Sequence, residues 1–176
     1  QRVRVIHIDD EPGMGEIVKL SLESRRDSFE VTTFENPEKG LEYILQTPVD
    51  CIVCDYQMPT MDGITLLKQI REASPTLPFI LFTSRGSEDI AADAISAGVT
   101  DYLRKRTNQE IYELLANRIE KYVEKKDAEQ QAVQHRDQLQ EHSAAISKKV
   151  QTPISEMQSQ IDLLSDKYNS EDFEKV

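Results

Sequence analysis

The chain has 176 residues, 38% hydrophobic and 30% charged, with a formal net charge of −11. That length suits one domain with an appendage, and the negative charge argues against direct, nonspecific binding to a nucleic-acid backbone. No apolar run approaches the roughly 20 residues of a membrane span, and no signal peptide is visible.

The first 106 residues alternate between short apolar runs and segments of helical spacing. "VRVIHI" (3–8) is a β-branched run that predicts a strand. "GMGEIVKLSLESRR" (13–26) predicts a helix through Met14, Ile17, Val18 and Leu22. "FEVTTF" (29–34) follows as a strand, and "NPEKGLEYILQ" (36–46) as a helix with an Asn cap and proline at its first position. "DCIVCD" (50–55) predicts a strand. Cys51 and Cys54 form a CxxC within it, but a redox or zinc pair needs a turn that aims both sulfurs at one point. Two buried strand cysteines in a reduced, cytoplasmic setting are the expectation. "DGITLLKQIREAS" (62–74) predicts a helix, "PFILFT" (78–83) a strand, "SEDIAADAISAG" (87–98) a helix with a C-cap glycine, and "DYLRK" (101–105) the last strand.

Strand and helix thus alternate five times, counting a helix after Asn108. Near-continuous apolar strands imply a parallel sheet covered on both faces. With right-handed connections, the simplest solution is a doubly wound α/β fold whose five strands run in the order 2-1-3-4-5. Its ligand site is expected at the C-terminal ends of strands 1 and 3.

From Thr107 the composition changes. Residues 108–168 contain one proline, Pro153, and no glycine. Apolar positions recur at Ile111, Leu115, Ile119 and Tyr122, and 124–138 is nearly all polar. A stripe then returns at Leu139, Ile146, Val150, Ile154, Met157, Ile161, Leu164 and Tyr168. A long helix with such a stripe is expected to pack on another chain or on a returning helix. "NSED" (169–172) has the composition of a turn and new N-cap, which predicts a returning helix from Glu171 that is cut off at Val176. The expected divisions are a domain over 1–122, a polar helical linker over 123–138 and a helical dimerisation segment over 139–176.

Strand 1 ends in "HIDDEP", strand 3 in "CDYQMPTMDG", strand 4 in "FTS" and strand 5 in "LRK". The predicted sheet brings Asp9, Asp10, Asp55, Thr83 and Lys105 to one edge. Three carboxylates there repel one another, and one lysine cannot satisfy all three. A divalent cation resolves the conflict: Mg²⁺ (or Mn²⁺) takes oxygen ligands and retains positions for phosphate oxygens. That chemistry points to phosphoryl transfer with Asp55 as nucleophile, Lys105 neutralising phosphoryl oxygens and the Thr83 hydroxyl bonding one of them. Glu11 reads as a surface residue beside the pocket. His7 alternates with apolar residues and reads as half-buried and outside the chemistry.

On these motifs, "DDE", "DYQMPTMDG", Thr83 and Lys105 after "DYLR", residues 1–122 resemble the receiver domain of two-component response regulators. "LPFILFTSRGSED" and "AISAGVTDYL" resemble archaeal receivers in particular. The resemblance implies a flavodoxin-like fold, a histidine kinase as phosphoryl donor, and Asp10, Asp55 and the backbone carbonyl of Gln57 as direct metal ligands, with Asp9 acting through water. It makes Thr83 and Tyr102 a switch pair, the ring filling space that Thr83 leaves. Gln57 and Arg85 would flank the phosphoryl site. Arg106 stands where the family usually has proline, which would loosen the turn after strand 5.

"ISKKVQTPISEMQSQIDLL" resembles the H-box helix of histidine kinase dimerisation domains, through Ser147, Val150, Thr152, Pro153 and Ile154. Pro153 then matches the family's kink, since the Lys149 carbonyl loses its helical donor. Lys148 occupies the phosphoacceptor histidine position and Lys149 that of the acidic residue after it. A lysine ammonium, with a pKa of about 10.4, is no nucleophile at neutral pH. The segment therefore reads as a degenerate dimerisation helix that forms a homodimer. Phosphorylation of His135 or His142 and a chance coiled-coil match are the alternatives. The whole reads as a cytoplasmic phosphoacceptor rather than an enzyme. The rival is a fragment of a receiver-headed histidine kinase whose kinase region lies beyond Val176.

Overall fold

The protein is described by a computed structural model covering residues 2–84, 88–106 and 108–171, with side chains through residue 163. In chain order the elements are β1 (Val3–Ile8), α1 (Met14–Glu23), β2 (Phe29–Phe34), α2 (Pro37–Gln46), β3 (Cys51–Cys54), α3 (Gly63–Ala73), β4 (Phe79–Thr83), α4 (Glu88–Ser96), β5 (Asp101–Arg104) and α5 (Glu110–Glu171). The chain divides into two compact units, Gln1–Ala128 and Glu129–Val176.

In the first unit the strands form one sheet of order β2-β1-β3-β4-β5. Every pairing is parallel, with Val5 opposite both Val31 and Cys51, and Ile52 opposite Phe79. This is the predicted order. The inner strands β1, β3 and β4 bury residues on both sides, and successive side chains point to opposite faces, so the sheet carries two cores. Val5, Val53, Ile80 and Phe82 pack with Val18 and Leu22 of α1 and with Leu115 and Ile119 of α5. On the other face Ile6, Ile8, Ile52 and Leu81 pack with Ile44 of α2, Leu67 and Ile70 of α3 and Ala94 of α4. Each fully buried Leu or Ile contributes about 1.5–3 kcal/mol, so both layers hold the strand ends in place.

Cys51 joins the first core and Cys54 the second. Both thiols are free and fully buried, and burial pushes both well above the ordinary thiol range. The strand reading of this CxxC holds.

Local chemistry sets the helix boundaries. The Asn36 side chain accepts from Lys39 N at 2.9 Å, with Pro37 in the first turn, and Asp62 Oδ1 accepts from Thr65 N at 2.7 Å. Each such cap contributes about 1 kcal/mol. After α4, Gly98 takes φ 83°, Val99 N donates to Ala94 O and Gly98 N to Ile95 O. That is the Schellman pattern which the terminal glycine predicted.

The second unit consists of α5 residues from Glu129 onward. Its described side chains through Leu163 are exposed, including Val133, Leu139, Ile146, Val150, Ile154, Met157 and Ile161. Pro153 lies inside the helix, and one turn back Thr152 Oγ1 donates to Lys148 O at 3.0 Å. Over residues 169–171 the expected turn at 169–172 is replaced by helix, which runs through Glu171, and residues 172–176 lie outside the described part. Asn and Ser lower helix propensity by under about 0.7 kcal/mol each, and without glycine or proline they do not end a helix.

Candidate functional site

The C-terminal ends of β1 and β3 neighbour each other, and β4 and β5 complete the same edge. Asp9 and Asp10 follow β1, Asp55 follows β3, Thr83 closes β4 and Lys105 follows β5. One carboxylate oxygen from each of Asp9, Asp10 and Asp55 lies within 4.8 Å of the other two. Lys105 Nζ donates to Asp9 Oδ2 at 2.5 Å and stands 3.3 Å from Asp55 Oδ2. Backbone groups fix both carboxylates from behind: Glu11 N donates to Asp9 Oδ1 at 3.0 Å, and Tyr56 N to Asp55 Oδ1 at 2.7 Å. Glu11 itself is exposed, as expected.

Asp9 is 1% exposed and Asp55 8%. Burial lifts the Asp9 carboxyl above the ordinary aspartate range, against the hydrogen bond and charge of Lys105. Burial alone would lower the Lys105 ammonium, but its contacts with Asp9 and Asp55 outweigh that and hold it above the usual lysine range. The pocket is thus a buried cation facing three carboxylates. The donor set is oxygen only, close-spaced and net negative, which suits a hard divalent cation such as Mg²⁺.

The other expected site residues fall around this centre. Thr83 is fully buried, and its carbonyl accepts from Lys105 N at 2.8 Å. Tyr102 sits on β5 opposite Leu81, half-buried against the second core. Gln57 is exposed, two residues beyond Asp55. Arg85 lies outside the described residues. Lys148, Lys149 and Pro153 belong to the second unit, where all three are exposed.

One residue escaped the sequence reading and a second, His7, is more buried than its alternation suggested. Gly63 opens α3, and a Cβ there would stand 2.4 Å from the Asp55 carbonyl oxygen and 2.8 Å from Leu81 Cδ2. Backbone cannot yield as a side-chain tip can, so Gly63→Ala is expected to lower unfolding free energy by about 2–3 kcal/mol, as measured by urea denaturation. His7 is the second. It is fully buried at 1% exposure, not half-buried, because β1 is an inner strand covered on both faces. Its Nε2 is 3.8 Å from Asp9 Oδ2, and among the described residues neither ring nitrogen has a hydrogen-bond partner. The pair is no ion pair: burial first, and the Lys105 charge second, depress the imidazole to about 3, so it is neutral. The signal was present in the alternation of β1, which puts residue 7 on the same side as residue 9.

Comparison with known proteins agrees with this geometry. The profile of the family described as "Response regulator receiver domain" matches residues 5–119. The "DNA-binding transcriptional regulator NtrC" of Escherichia coli K12 is 36% identical over 105 residues, 60% of this chain and 22% of that protein. The "Transcriptional regulatory protein SrrA" of Staphylococcus aureus is 32% identical over 101 residues, 57% of this chain and 41% of that protein. The chain therefore spans well under half the length of these relatives. Among solved structures, a receiver domain protein from Clostridium thermocellum superposes with a TM-score of 0.64 at 27% identity, over 72% of this chain and 98% of that one. A receiver domain protein from Methanospirillum hungatei JF-1 shares the fold, with a TM-score of 0.66 at 23% identity over 73% and 99% of the two chains. With the family profile covering most of its length and the acidic edge in place, this chain belongs to the response regulator receiver domain family.

Proposed function

We propose that the chain is a phosphoacceptor switch in a two-component relay. Asp55 receives a phosphoryl group from a histidine kinase: a carboxylate oxygen bonds phosphorus, the phosphorus–nitrogen bond of the donor breaks, and an acyl phosphate forms on Asp55. The single observation that carries this is the Lys105 ammonium set between Asp9 and Asp55 on an edge shared with Asp10. Asp10 and Asp55, with the Gln57 carbonyl, would hold Mg²⁺ directly, and Asp9 would do so through water. Mg²⁺ supplies positive charge for the phosphoryl oxygens. Lys105 adds a second cation there, and the Thr83 hydroxyl and Tyr102 ring respond to the new group. The chain has no enzyme activity on other substrates in this reading; it is labelled and then loses the label. Its test is incubation with acetyl phosphate, which is expected to deposit one hydroxylamine-labile phosphoryl group only when Mg²⁺ is present.

The helical unit is the proposed output. Val150, Ile154, Met157 and Ile161 recur at steps of four, three and four, a coiled-coil seam, and all four are exposed. An exposed seam of this kind supports a homodimer through α5. The likeness to an H-box helix, with Lys148 in place of histidine, supports a degenerate kinase dimerisation segment without the phosphoacceptor. "AISAGVTDYL" and its neighbour phrase support an archaeal source. Light scattering is expected to give a dimer mass, and Ile154→Glu with Ile161→Glu to give a monomer. A monomer in the unsubstituted protein, with and without beryllofluoride, overturns the output reading and leaves the receiver intact.

A second reading is favoured by the helix running on through Thr152 and Pro153. Here the chain heads a histidine kinase, and phosphorylation of Asp55 gates a kinase region beyond Val176.

A further inference from the structure

A buried polar atom without a partner costs about 1–3 kcal/mol, and such atoms in a native fold call for an explanation. His7 has two of them. Its neighbours across the sheet are Thr33 and Val53, and valine would satisfy the same position at no polar cost. The two ring nitrogens of the imidazole therefore contribute no hydrogen bond in the state described. Its one polar neighbour of note is Asp9 Oδ2, 3.8 Å from Nε2 and just beyond hydrogen-bond range.

That same oxygen is the one Lys105 holds. A single ammonium shared by Asp9 and Asp55 cannot keep both contacts once Asp55 carries a phosphoryl group, whose three oxygens compete for it. When Lys105 turns to the phosphoryl group, Asp9 Oδ2 loses its donor while still buried. Besides the water through which Asp9 would hold the metal, the side-chain donor standing beside this oxygen among the described residues is His7, 3.8 Å away. A neutral imidazole protonated on Nε2 closes the gap by moving less than about 1 Å, reaching ordinary hydrogen-bond length.

We infer that His7 is a positioning residue for the phosphorylated state: its Nε2–H takes over Asp9 Oδ2 when Lys105 leaves for the phosphoryl group. This rests on Asp55 as the phosphoacceptor. The unpartnered Nε2 of the resting state is then a donor held in reserve. The group does not touch the phosphoryl oxygens. It acts by keeping the Asp9 carboxylate oriented toward the metal position.

The experiment is a beryllofluoride titration of the whole 176-residue chain in excess Mg²⁺, followed by calorimetry, for the unsubstituted protein, His7→Val and His7→Gln. His7→Val is expected to unfold at the same urea concentration or higher, because two orphaned atoms are removed, yet to bind beryllofluoride about tenfold more weakly. His7→Gln, which offers an N–H at similar reach, is expected to recover most of the affinity. Long-range ¹H–¹⁵N spectra of the unsubstituted protein are expected to show the Nε2–H tautomer, with the Nε2 resonance moving on beryllofluoride binding. Equal affinity in all three proteins overturns the inference, as does an Nδ1–H tautomer in the bound state or a loss that glutamine fails to restore. Failure of the unsubstituted protein to bind beryllofluoride would instead remove the phosphoacceptor assignment itself.

Discussion

Asp55→Asn protein is expected to take up no phosphoryl group from acetyl phosphate and Mg²⁺, a complete loss against one group per chain in the unsubstituted protein. An amide oxygen is neither a nucleophile toward phosphorus nor a charged metal ligand, so both contributions of the side chain vanish together. The shape survives. The amide oxygen still accepts from Tyr56 N, which Asp55 Oδ1 does at 2.7 Å, and one of three crowded carboxylates is gone. Stability is therefore expected to change by less than about 1 kcal/mol, which separates lost chemistry from lost fold. Intact mass and hydroxylamine release measure the label. Label persisting in the variant, on Asp10 or elsewhere, would move the acceptor off Asp55.

Acid is expected to unfold the receiver through His7. The imidazole titrates at 6.5 when free and at about 3 in the fold. The unfolded chain thus binds the proton first, and stability falls as pH drops. The contribution is whole above pH 6.5 and is lost progressively down to about 3, amounting to at most about 4–5 kcal/mol. That is a large part of the 5–15 kcal/mol typical of a domain. Asp9 works in the opposite sense. Its folded value lies above the free one, so the fold gains as that carboxyl takes its proton and loses as pH rises through its folded value. Urea midpoints between pH 7 and pH 4 measure the balance. His7→Val should flatten the fall, since the aspartate contribution remains in both proteins. An equal slope in the two would assign the acid sensitivity elsewhere.

Most of the fold was legible because its signals are local. Apolar runs such as "DCIVCD" and "PFILFT" have no polar side, and a strand without a polar side belongs inside a parallel sheet. The acidic edge was legible because Asp9, Asp10, Asp55 and Lys105 each sit just past a strand, where topology alone brings them together. His7 was read as half-buried because alternation gives the face of a side chain but not how deeply its strand is covered. The Gly63 contact needed the path of the loop from Asp55 into α3, which no pattern in "DYQMPTMDG" encodes. "NSED" misled because turn-forming residues also occur in helices, and composition cannot say whether a helix already under way will stop.

The two thiols of β3 have a consequence for how the domain breathes. Cys51 faces the layer of α1 and α5, and Cys54 the layer of α2, α3 and α4. Neither reacts with a soluble alkylating reagent while its own layer is closed, because both are fully buried. Local opening in proteins occurs in separate cooperative units. The order in which the pair becomes alkylated in native buffer therefore reads out which side of the sheet loosens first, and one four-residue strand serves as a built-in probe of both.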